Sequence, residues 1–81
     1  MLYALYHNEE NYALAIKSGK FAETTLAGKA AKANPKSVIP YNDNYELSTS
    51  KASLRDRAEA YKAVWLVDLT NTVNRLQELK L

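Results

Sequence analysis

The chain opens with an unbroken apolar run, Met1 to Tyr6. So short a run fits either a buried strand or a helix start, and its two tyrosines favour the strand. Asn8 then stands where a helix N-cap belongs, with Glu9 and Glu10 in what would be the first turn. Negative charge there suits the helix dipole. Tyr12, Ala15 and Ile16 make one apolar stripe. Ser18 and Gly19 read as a stop or a kink, after which Phe21, Leu26, Ala30 and Ala33 resume helical spacing. Asn34-Pro35 closes the region, because the residue before proline is pushed out of helical geometry. The pattern predicts helix over 9–33, whole or broken near Gly19.

Between 37 and 49 the period changes. Val38, Ile39 and Tyr41 form a short apolar run; Tyr45, Leu47 and Thr49 alternate with Glu46 and Ser48. Alternation of this kind marks a half-buried strand. Asn42, Asp43 and Asn44 between the two runs suit a turn, so the segment predicts a β-hairpin. Pro40 lacks a donor for the ladder, which places its strand at an edge or at a bulge.

From Ser50 onward no Gly or Pro interrupts the chain. Ser50 or Ser53 can cap a helix, and Ser53 with Asp56 resembles a capping pair. Leu54, Ala58, Tyr61 and Trp65 form one stripe. Leu66, Leu69, Val73 and Leu76 form a second, rotated one. Two stripes imply contact on two sides. A helix from Ser53 to Leu81 would run about 43 Å, whereas an 81-residue globule is only about 30 Å across. Either the helix breaks in Asp68–Asn74, where LTNTVN lowers helix propensity, or its end packs on a partner.

The predicted order is strand, helix, strand, strand, helix. It describes a single α+β domain over 1–81, with a three-stranded, mostly antiparallel sheet and helices on one face. The alternative is all-α, with Met1–Tyr6 joined to the first helix and 37–49 as a loop.

Composition narrows the chemistry. The chain has no cysteine, which removes disulfides, zinc–thiolate sites and thiol catalysis. Its single histidine, His7, is expected to be a cap or a surface side chain, and Glu9 and Glu10 diverge on a helix and form no acid–base dyad. Neither a phosphate-binding glycine motif nor the ligand spacing of a calcium loop is present, so no metal, cofactor or enzymatic activity is expected. The opening decapeptide has no basic start and its apolar run is short, and no stretch approaches the length of a membrane span. The expected location is the cytoplasm of a bacterial or host cell.

The net charge of +2, from 11 basic and 9 acidic side chains, implies little by itself. Its distribution is uneven. Residues 17–36 carry Lys17, Lys20, Lys29, Lys32 and Lys36 against Glu23, while 1–16 and 37–49 are acidic. Segment 25–41 also looks like a helix-turn-helix, with Asn34-Pro35 in the turn and Pro40 in the second helix as departures.

The functional expectation that follows is a small non-enzymatic, regulatory binding protein, such as a phage or mobile-element inhibitor of a host protein complex. It would act by covering a surface on a larger protein or by forming a homodimer. The candidate partner-binding surface is the hairpin loop Tyr41, Asn42, Asp43, Asn44, Tyr45 and Glu46, whose Tyr/Asn composition suits adaptable recognition. The candidate self-association seam is Leu66, Leu69, Val73 and Leu76. The alternative is a nucleic-acid-binding regulator using the five lysines for phosphates and tyrosines for stacking.

Overall fold

A computed structural model describes residues 1–78. The elements are β1 (Tyr3–Asn8), β2 (Ala13–Ser18), a 3-10 turn (Lys20–Ala22), α1 (Leu26–Ala33), β3 (Ile39–Asn42), β4 (Tyr45–Ser48) and α2 (Lys51–Glu78). The strands form one antiparallel sheet in the order β2-β1-β4-β3. The α+β class and the long C-terminal helix agree with the sequence pattern. The sheet has four strands instead of three, and the all-α alternative has no support.

The extra strand lies inside the region expected to be helical. Asn8 does cap backbone donors, but in a turn: its Oδ1 accepts from the amides of Glu10 (3.0 Å) and Asn11 (3.3 Å). The chain then reverses through Tyr12, which takes a left-handed conformation (φ 51°). Short side chains that bond their own backbone serve turns as readily as helix starts. Beyond the turn, Leu14 and Ile16 are partly buried while Ala15 and Lys17 are exposed, the period of a strand. Gly19 ends β2 against the first strand. Its amide donates to the Leu2 carbonyl (2.8 Å), and a Cβ there would come within 2.9 Å of Leu2 Cγ. Helix is left only over 26–33, capped by Thr25, whose Oγ1 accepts from the Gly28 amide (3.1 Å).

The hairpin of β3 and β4 forms as expected. Pro40 lies on the edge strand β3, and the pairing shifts register between Pro40 and Asn42.

Helices cover both faces of the sheet, not one. Register fixes the sides: Leu5 pairs with Ile16 and Glu46, whereas Ala4 pairs with Lys17 and Leu47. Ala4 and Leu47 pack with Leu2, Ala22 and Ala31 under α1. Leu5, Ile16 and Glu46 face the other way, towards α2. The α1 layer is built on small residues, and Gly28 allows the closest approach: a Cβ there would meet the Ala22 carbonyl oxygen at 2.0 Å.

Ser50 caps α2; its Oγ accepts from the Ser53 amide (3.2 Å). Ser53 is not the cap, and its hydroxyl donates to the Lys36 carbonyl (3.0 Å). The helix does not break in Asp68–Asn74. Thr70 and Thr72 donate to the carbonyls of Leu66 (2.8 Å) and Asp68 (2.9 Å), so their hydroxyls are satisfied within the helix. The expected continuation to Leu81 lies outside the described residues. With 28 residues, α2 runs about 42 Å. The molecule measures 55 × 18 × 16 Å, with a radius of gyration of 15.9 Å against about 12 Å for a compact chain of this length. Among the described residues, no helix is long and apolar enough to cross a membrane.

Candidate functional site

Two features stand out, one inside the fold and one carried beyond it. The inner feature is a polar cluster beneath α2. Glu46 on β4 is only 6% exposed. Its Oε1 accepts from Arg57 Nε (2.9 Å), and its Oε2 accepts from the Tyr61 hydroxyl. Arg57 and Tyr61 lie one helical turn apart on α2, and the guanidinium also reaches the Tyr61 oxygen (3.2 Å). The His7 ring stacks on Tyr61 at 4.6 Å. His7 Nε2 lies 3.3 Å from Glu46 Oε2, but the directions do not make a hydrogen bond, and Nε2 has no other partner among the described residues. Burial pushes the Tyr61 phenol pKa up, and the hydrogen bond to Glu46 and its charge push the same way. Arg57 is held more firmly in its charged form, chiefly by its bond to Glu46.

This cluster corrects two expectations. His7 is neither a cap nor a surface residue; it lies in the α2 interface. Glu46 is not part of the exposed hairpin surface expected to bind a partner. Strand alternation turns it inward, level with Leu5. The Arg57 and Tyr61 donors converge on Glu46, which makes the cluster a fastener between α2 and the central strands. Among the described residues, no group of three or more His, Asp or Glu side chains is placed to hold a metal ion.

The rest of the candidate hairpin surface divides. Asn42 and Asp43 are exposed. Asn44 ties the turn to β1: its Nδ2 donates to the His7 carbonyl (3.1 Å), and its own carbonyl accepts from the His7 amide (2.8 Å). Tyr41 and Tyr45 lie half-buried on the α1 side, edge-on to Phe21 at 5.7 and 5.2 Å. There they complete a layer that the eight-residue α1 is too short to cover.

The five lysines are scattered over the α1 side and the loops around it. Lys17 lies 4.8 Å above the Tyr45 ring and donates to its hydroxyl (2.7 Å). Lys32 is paired with Glu23 at 2.6 Å, which lowers the Glu23 pKa. Lys20 belongs to the 3-10 turn, Lys29 is exposed on α1, and Lys36 follows the helix in a left-handed conformation (φ 69°). The helix-turn-helix expectation fails, because the segment after Pro35 enters β3 and supplies no second helix.

The outer feature is the far half of α2. Leu54 and Trp65 are its only buried residues among those described. Beyond Trp65 the helix runs on through residues 66–78, about 20 Å. Leu66, Leu69, Val73 and Leu76 lie along one side of this arm and are 55, 37, 49 and 62% exposed. At its base, Tyr12 and Leu14 line a groove of about 310 Å³ with Lys62, Trp65, Leu66 and Leu69. The sequence pattern anticipated the row but not the groove, since nothing in it brings the β1–β2 turn beside Trp65. Comparisons with protein-family models, curated proteins and solved structures find no match.

Proposed function

We propose that this chain is a non-enzymatic binding protein whose working surface is the arm of α2. The observation that carries the reading is a row of four large aliphatic side chains on a helix that has left its own core. Helices of about 12–15 residues are marginal in water without packing, and this arm adds Thr and Asn, which favour helix weakly. An apolar stripe on such a helix is stabilised when another polypeptide covers it. Regulation by occupying a partner, including inhibition of a larger complex, is the activity open to such a surface.

The test uses the tagged full chain in extract of its own cells, fractionated by size. The wild type is expected in a species well above 9.1 kDa, and the Leu69→Glu/Val73→Glu variant at monomer size. Both positions are exposed, so the variant should keep its fold by circular dichroism. Wild-type protein eluting at monomer size, or a variant that stays in the large species, would overturn the reading.

A second reading rests on the Lys17–Tyr45–Phe21 arrangement. A single nucleic-acid strand could lay phosphates along Lys17 and Lys20 and stack a base on the half-exposed Phe21. It requires binding to a single-stranded oligonucleotide that weakens steeply with salt and is lost in Phe21→Ala. No retardation at low salt removes it.

A further inference from the structure

We propose that the arm's occupant is a second copy of this chain, paired antiparallel about a two-fold axis level with Asn71. The inference rests on the reading of the arm as the binding surface, and it adds the partner and the geometry. Leu66, Leu69, Val73 and Leu76 are spaced three, four, three. That order is the same read in either direction. Leu66 and Leu76 stand five residues either side of Asn71, about 7.5 Å, and Leu69 and Val73 stand two either side, about 3 Å. An antiparallel second copy therefore sets Leu66 against Leu76 and Leu69 against Val73, and both again on the other side of the axis. A two-fold interface needs a patch that complements itself in this way.

The base of the arm supplies a receiving surface. The groove between the β1–β2 turn and Trp65, Leu66 and Leu69 lies level with the partner's Leu76 and the end of its described helix. A parallel pair would instead bring the two copies of Tyr12 and Leu14 to the same level on the seam side, where they would meet. Asp68 and Arg75 lie about 120–140° round the helix from the seam and face away from it, so charge does not choose the direction of pairing. Residues 66–78 hold Asp68, Arg75 and Glu78, a net charge of −1, so self-repulsion is slight. Four partly exposed aliphatic side chains from each copy make a small interface beside the roughly 1,600 Å² of a stable complex, so the dimer is expected to depend on concentration.

The experiment uses the purified full chain, which has no native cysteine to interfere. Its mass by sedimentation equilibrium should rise with concentration from 9.1 kDa towards twice that. Leu66→Cys and Leu76→Cys chains are prepared separately, then oxidised alone and mixed. In the antiparallel pair, equal positions stand about 15 Å apart along the axis, beyond the roughly 7 Å Cα separation that a disulfide spans. Neither variant alone should cross-link, and the mixture should yield the 66–76 disulfide dimer. A purified chain that stays monomeric at every concentration overturns the second copy; the arm reading survives this if the extract species still depends on Leu69 and Val73. A dimer in which each variant cross-links to itself and the mixture adds nothing overturns the antiparallel geometry.

Discussion

Replacing Glu46 tests whether the polar cluster fastens α2 to the sheet. In Glu46→Ala the Tyr61 hydroxyl loses its acceptor in the interface, and a hydrogen bond to a charged group contributes about 1.5–3 kcal/mol. The Arg57 pair contributes less, about 0.2–1 kcal/mol, because the guanidinium side chain is nearly half exposed and screened by water. The expected loss is about 2–3 kcal/mol. A domain of this length has a total stability of about 4–12 kcal/mol, so the change is a large fraction of the whole. Glu46→Gln keeps the shape and an acceptor oxygen and should lose about half as much. Trp65, the only tryptophan, is buried where α2 docks, in edge contact with Tyr12 at 5.8 Å, and its fluorescence in urea reads the transition. The alanine variant should show a lower midpoint with an unchanged slope. A loss under about 0.5 kcal/mol, the scale of an ordinary surface change, would show that Glu46 is not a fastener and that apolar contacts alone hold the helix.

The raised Tyr61 pKa has a consequence at alkaline pH. The fold keeps this phenol protonated above its ordinary value of 10.0, so its contribution to stability is fully present below pH 10 and is lost as pH rises through the raised value. The tyrosinate absorbance of the wild type minus that of Tyr61→Phe should titrate with a midpoint above 10; a midpoint at or below 10 contradicts the burial argument. Gly28→Ala sets two effects against each other. Alanine gains about 1 kcal/mol of helix propensity, but its Cβ would sit 2.0 Å from the Ala22 carbonyl oxygen, a backbone atom with little room to yield. Overpacking costs typically about 1–3 kcal/mol. Net destabilisation of about 2 kcal/mol is expected by urea unfolding, and a stabilised variant would refute the close packing.

Some of this protein is written in local pattern and some is not. The last helix was legible because apolar residues recur over many turns without a breaker, and its excess length over the body followed from the rise per residue. The β3–β4 hairpin was legible because its alternation flanks an Asn-Asp-Asn turn, with Pro40 confined to an edge by its missing donor. Segment 9–18 carries two readings in its local pattern, because Asn8 bonds backbone amides in the same way at a turn and at a helix start. Tyr12, Ala15 and Ile16 fit a helical stripe as well as Leu14 and Ile16 fit a strand. What decided between them was β1, whose free edge pairs with the donors that β2 turns towards it; that choice is made between segments and leaves no mark within either. The cluster of His7, Glu46, Arg57 and Tyr61 was illegible for the same reason. Its members come from three elements, and only the register of β4 on β1 and the seating of α2 across both bring them within hydrogen-bond reach. The sequence by itself determined the class, the hairpin and the apolar row on α2. Tertiary structure decided which faces those elements present, because a face is fixed only when a neighbour fixes the register.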